Sequence, residues 1–232
     1  MTEPSTEDTL PSHVDFWLGA DYADRLLEIV DRAENRHGIL IRIIEEVYTR
    51  RFERALETLG APNTPKGSFA YIPISVDGLI DILVQVREFM EADARFLTEA
   101  GAIRPVSFLE VGCGPGRNLD LVRSSQVLPL ERVAGFDIVQ AYIDIGRDVF
   151  AFGEDVFTDD AMSFDYGGWD VIFTYRPFSD DAAEDAFERH LVATADPGAY
   201  IISPLKVIMD ELPEMDVLDF GGQILRKKHP GG

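Results

Sequence analysis

The chain has 232 residues, with 42 acidic against 21 basic side chains and a formal net charge of −21. A field of that sign opposes a polyanionic partner and argues against sequence-independent nucleic-acid binding. A single cysteine, Cys113, excludes an internal disulfide, and the four histidines (His13, His37, His190, His229) are too scattered for metal-ligand spacing, so no metal is expected.

Hydrophobic residues make up 46%, enough for a packed core. No apolar run approaches the ~18 residues that cross a bilayer. The start, MTEPSTEDTLPSH, lacks the pattern of a signal peptide. A cytoplasmic protein with no membrane partner is expected.

Residues 1–13 read as a disordered, acidic tail. The patch around Phe16 and Trp17 is expected to pack on the body of the protein. Residues 21–59 have helical period, with Leu26, Ile29, Leu40, Ile43, Val47 and Leu56 on the apolar face and a weak point at Gly38. The opposite face mixes Arg and Glu, as a solvated face does. Residues 60–67 hold two prolines and two glycines and form a loop. Residues 68–75 are extended around Pro73, and Ser75 caps a helix whose apolar positions include Val76, Leu79, Leu83, Val86 and Met90.

From Pro105 the pattern becomes alternating strands and helices. Strands are expected at 106–111, 132–137, 154–158, 169–175 and 199–203, with helices up to about 124 and over 140–150 and 180–194. That order implies a parallel sheet with helices on both faces. After Pro204 a hairpin is expected over 217–226, turning at Gly221-Gly222, and residues 227–232 read as a frayed end. The organisation read from this pattern is a tail over 1–13, a helical extension or cap over 14–104 and a ligand-binding α/β domain over 105–232.

The chemistry concentrates at the strand ends. The first strand leads through Glu110 into Gly112, Gly114 and Gly116, a G-x-G-x-G turn rather than the dinucleotide G-x-G-x-x-G. A carboxylate at Glu110 repels a pyrophosphate and attracts an amino group or a sulfonium. The Lys-Ser/Thr of a triphosphate loop is missing. Asp137, ending the second strand, is placed to accept ribose hydroxyls, with Phe136 and Ile138 against a purine. Asp160 and Ala161, after the third strand, are placed for an adenine amino group, with Met162 on the ring. Each signal is weak alone, and together they converge on one nucleoside.

These residues resemble the class I S-adenosylmethionine-dependent methyltransferases, through 109–116 (LEVGCGPG), 135–138 (GFDI), 160–162 (DAM), 169–173 (WDVIF) and 197–202 (PGAYII). The resemblance spans about 105–228. It implies an α/β fold: a doubly wound, mostly parallel, seven-stranded Rossmann-like sheet with an antiparallel last strand. It implies S-adenosylmethionine as cofactor, held by Glu110, Gly112, Gly114 and Gly116 at the methionine end, by Asp137 and Ile138 at the ribose, and by Asp160 and Ala161 at the adenine.

Amino-group methyltransferases of this superfamily often carry Asn/Asp/Ser-Pro-Pro-Tyr/Phe after the fourth strand. Here the same place reads Tyr175, Arg176, Pro177, Phe178, the candidate catalytic residues. The departure argues against adenine-N6 or glutamine-amide chemistry. Arg176 either binds a carboxylate or phosphate on the acceptor or pairs with an acid such as Asp180. Tyr71 and Ser75 are pocket candidates if the 69–75 segment folds over the cofactor. The implied activity is methyl transfer to a small molecule or a protein side chain. Nucleic-acid methylation, alkyl or aminopropyl transfer on the same fold, and cofactor-dependent regulation without turnover are the alternatives.

Overall fold

The computed structural model describes residues 36–59, 65–69 and 71–229. The expected acidic tail, the Phe16–Trp17 patch, the first part of the long helix, most of the 60–67 loop and the last three residues lie outside the described residues.

The chain divides into two compact units, residues 1–49 and 50–232. In the first, the described residues belong to helix α1 (Arg36–Leu59). Gly38 falls in the first turn of this helix, where a glycine costs at most ~1 kcal/mol relative to alanine.

The second unit is built on a seven-stranded sheet. Its strands are β1 (Val106–Val111), β2 (Leu130–Asp137), β3 (Val156–Thr158), β4 (Val171–Thr174), β5 (Tyr200–Ile202), β6 (Met215–Val217) and β7 (Ile224–Lys227). Their spatial order is β3-β2-β1-β4-β5-β7-β6. The first five are parallel, whereas β7 enters antiparallel between β5 and β6. The helices are α2 (Val76–Glu91), α3 (Arg117–Ser125), α4 (Gln140–Phe150) and α5 (Asp181–Thr194). All six residues of β1 are buried, as the central strand of a sheet covered on both faces must be.

Local chemistry explains most boundaries. Ser75 caps α2, its hydroxyl accepting from Gly78 N at 3.3 Å. Helix α5 starts one residue later than the expected 180. Asp180 is its cap, accepting from Ala183 N at 3.0 Å, and the ionised carboxylate adds a favourable charge at the helix N-terminus.

The hairpin forms, but not on a two-residue turn. Residues 218–223 make a longer loop in which the Asp219 carboxylate accepts from Ile224 N at 2.7 Å. The end expected to fray is anchored through 228. Lys227 belongs to β7 and its ammonium donates to Ala193 O and Ala195 O, while Lys228 Nζ donates to Pro213 O at 2.8 Å. Lysines read as a solvated tail are thus consumed by carbonyls at the ends of other elements. No helix among the described residues is long and apolar enough to cross a membrane.

Candidate functional site

The parallel strands align their C-terminal ends. Glu110 lies opposite Gly135 of β2 and Phe173 of β4, and Asp137 lies opposite Thr158 of β3. From β1 the chain order runs one way through β2 and β3 and the other way through β4 and β5. A crevice opens where those directions part, because the connecting loops diverge there. A cavity of about 300 Å³ occupies it.

Glu110 is 2% exposed, deeper than a residue emerging from a strand. Its Oε1 accepts from Asn118 Nδ2 at 2.8 Å, while Oε2 is buried with no hydrogen-bond partner. Burial pushes its carboxyl up to about 8; the Asn118 hydrogen bond opposes that rise and the nearby Asp137 charge adds to it. Both Glu110 and Asn118 line the cavity.

Asp137 ends β2 with both oxygens engaged. Oδ2 accepts from Gly114 N at 2.9 Å and Oδ1 from Val139 N at 2.8 Å. It thereby ties the glycine turn to the start of α4. Burial raises its pKa and the backbone N–H bonds counter that rise. Asp137 and its neighbour Ile138 both face the cavity.

The three glycines divide. Gly112 (φ 69°) lines the cavity, and a Cβ built there would lie 3.6 Å from Pro177 Cβ, so the β1 and β4 turns sit side by side. Gly114 and Gly116 turn elsewhere. A Cβ on Gly114 would fall 2.2 Å from the Tyr71 ring, and one on Gly116 would fall 2.9 Å from Phe152. The close approach these two permit is by aromatic side chains of the protein itself.

Asp160 and Ala161 line the far end, joined by Asp159. The Asp160 carboxylate accepts from Met162 N at 2.9 Å, and Asp159 accepts from Asp160 N at 2.8 Å. Met162 is 39% exposed and does not line the cavity, because the turn that Asp160 closes directs it outward.

Tyr175, Arg176, Pro177 and Phe178 all line the opposite wall. Tyr175 stacks on Phe173, ring centroids 6.4 Å apart. Arg176 holds a left-handed backbone, φ 50°. Its guanidinium pairs with Asp181; Asp180, the partner the sequence suggested, is instead occupied as the α5 cap. Phe178 N donates to Glu184 at 3.0 Å.

The extended segment before α2 fastens to this wall. Ser68 bridges to Phe178, Phe69 N donates to Pro177 O at 3.1 Å, and Ser179 N donates to Gly67 O at 2.9 Å. Phe69, Tyr71 and Ile72 therefore line the cavity, whereas Ser75 is spent on its helix cap. Sequence reasoning missed Asn118, Ser68, Phe69, Asp159 and Leu205. Asn118 alone carried a signal: an amide in the first helical turn after a glycine loop that itself follows a strand-end acid.

Helix α5 supports both loops on this side with two buried glutamates. Glu184 holds Phe178 N, and Glu188 accepts from Val207 N at 2.6 Å and Ile208 N at 2.7 Å. Replacing Glu188 with alanine strands two half-buried amides, at up to about 1–3 kcal/mol each. Urea unfolding of Glu188→Ala should show a loss of roughly 2–5 kcal/mol, and hydrogen exchange at 205–208 should accelerate. An unchanged unfolding midpoint would show that Glu188 does not hold this loop.

No protein-family model matches the chain, and no curated protein matches it in sequence. Solved structures do. An amino pentose methyltransferase from Micromonospora echinaspora involved in calicheamicin biosynthesis is 18% identical, over 59% of this chain and 58% of that one, with a TM-score of 0.39. TrmN from Thermus thermophilus is 17% identical over 63% and 48%, with a TM-score of 0.44. An RNA methyltransferase from Salinibacter ruber, solved with S-adenosyl-L-homocysteine, is 15% identical over 68% and 92%, with a TM-score of 0.46. The chain thus spans about half the length of the first two. Five parallel strands ordered 3-2-1-4-5, closed by an antiparallel β7 inside β6, give this chain the class I S-adenosylmethionine-dependent methyltransferase fold.

Proposed function

We propose that the cavity binds S-adenosylmethionine and that the chain transfers its methyl group to a small acceptor held against Tyr175, Arg176, Pro177 and Phe178. One observation carries this reading: a fully buried acid with an unsatisfied oxygen, Glu110 Oε2, belongs to the wall of a cavity that also carries Asp137, Asp159 and Asp160. A buried carboxylate oxygen without a donor is costly unless a ligand supplies one. The α-ammonium of the cofactor is such a donor, and its sulfonium adds positive charge.

Asp137 is placed for the ribose hydroxyls, beside Gly112 and Ile138. Asp160 and Ala161 are placed for the adenine edge. Gly114 and Gly116 act indirectly, by keeping the turn in the shape that Asp137 grips. The cofactor supplies a methyl group already activated by the sulfonium. The protein's part is orientation and exclusion of water. Phe69, Ile72 and Leu205 cover the cavity mouth with apolar surface, and the Tyr175–Phe173 stack fixes one wall.

A small acceptor is favoured over a nucleic acid by the charge of −21 and by acids around the cavity. Asp180 and Asp181, acids that could meet a polyamine in aminopropyl transfer, are instead engaged with Ala183 N and Arg176. A protein side chain remains an acceptor class to test beside small molecules, and a regulatory role without turnover predicts cofactor binding alone.

The purified chain, incubated with methyl-labelled S-adenosylmethionine and fractionated lysate, should pass label to a small-molecule fraction. Label in nucleic acid would overturn the acceptor class. Binding of S-adenosylmethionine with no transfer to any fraction would favour the regulatory reading, and absence of binding would end the proposal.

A further inference from the structure

We infer that Arg176 is the acceptor-recognition residue and that the acceptor carries a carboxylate on a small apolar or aromatic body. This deepens the methyl-transfer reading of the same cavity and rests on it.

Arg176 lines the cavity from the loop after β4. Its left-handed backbone at φ 50° is a conformation that glycine adopts without strain and an arginine does not. The loop shape alone would be met better by glycine, so the strain points to a use for the side chain. A guanidinium is a planar fork of five donors. Asp181 takes Nη2, and its own side chain is 77% exposed, so it approaches from the solvent side. Nε is buried with no hydrogen-bond partner. A buried N–H without an acceptor, on a fork built for paired oxygens in a cavity-lining residue, fits a carboxylate in the cavity.

The surroundings set the rest of the ligand. Phe69, Tyr175 and Phe178 supply aromatic faces beside the fork, and Leu205 is apolar. The other charged groups on the cavity wall are all acids: Glu110, Asp137, Asp159 and Asp160. Glu184, close enough to Arg176 for the two charges to interact, is acidic as well. One cation among so many carboxylates suits a monoanion. A dianionic phosphate would gain the same fork but meet about twice the repulsion from the acids.

The test uses the full chain saturated with S-adenosylhomocysteine and three probes that share one ring: benzoate, phenyl phosphate and benzylamine. Ligand-detected NMR titration reads each affinity, with and without S-adenosylhomocysteine. With S-adenosylhomocysteine bound, benzoate should bind tightest and benzylamine not at all. Arg176→Gln should weaken benzoate about tenfold or more, as expected for loss of a charge-assisted pair. Asp181→Asn, which releases the competing carboxylate, should tighten benzoate several-fold, a change that a purely structural Arg176–Asp181 pair would not produce.

Equal binding of benzoate to Arg176→Gln, or a preference for benzylamine, would overturn the inference. Tighter binding of phenyl phosphate would replace the carboxylate with a phosphate. Failure of S-adenosylhomocysteine to bind would overturn the methyl-transfer reading instead, and the benzoate titration without it would still report on Arg176.

Discussion

Asp137→Ala should weaken S-adenosylmethionine binding by about two orders of magnitude or more. Two losses add. The first is the carboxylate proposed for the ribose hydroxyls, a charge-assisted contact of about 1.5–3 kcal/mol. The second is internal. Asp137 holds Gly114 N and Val139 N, and both amides lose their acceptor in the variant. The glycine turn then loses its tie to the start of α4, so Gly112 and the residues around it lose their fixed position. Isothermal titration of wild type and variant with S-adenosylmethionine measures the effect. Asp137→Asn separates the two losses, because its amide oxygen can still accept one backbone N–H. Affinity in Asp137→Ala within threefold of wild type would refute the assigned role.

Glu110→Gln should change how stability and binding depend on pH. Burial raises the folded-state carboxyl to about 8, above the ordinary value of 4.5. Between those values the folded chain binds more protons than the unfolded chain. Stability of the ligand-free protein therefore falls as pH rises from about 4.5 to about 8, by on the order of a few kcal/mol from this group. Glu184, raised by burial to about 7, contributes with the same sign, so the informative quantity is the difference between wild type and variant. Thermal melting across that range should show a smaller decline in Glu110→Gln.

Binding reports the same group in the opposite sense. At pH 7 the free site holds Glu110 mainly protonated, and an ammonium ligand requires the carboxylate. Cofactor binding should then release close to one proton, measurable by titration calorimetry in buffers of different ionisation heat. Glu110→Gln should release almost none and bind more weakly. Equal proton release by both proteins would place the ligand's amino group elsewhere.

The site was legible where its signal is local in the chain. Glu110 before a glycine turn, Asp137 at the next strand end and Asp160 after the third were all readable, because parallel strands bring successive C-terminal ends to one edge. The residues that line the cavity from elsewhere were not. Ser68 is more than a hundred positions from Phe178, its neighbour in space, and nothing in either segment encodes the backbone bridge that joins them. Glu184 and Glu188 carry no local sign of the loops they hold. That their carboxylates turn inward to hold two loops depends on where α5 lies across the sheet.

The alternation of elements, the acidic strand ends and the glycine turn are each written in a few consecutive residues, by period and backbone freedom. Tertiary structure decided which neighbour each polar group meets. It turned Gly114 and Gly116 toward Tyr71 and Phe152 and left Gly112 at the cavity. It sent Asp180 to a helix cap and Asp181 to Arg176. It left Glu110 Oε2 and Arg176 Nε as buried atoms without partners. Burial and long-range pairing set these outcomes, because a polar group's cost and its partner depend on the segments folded over it.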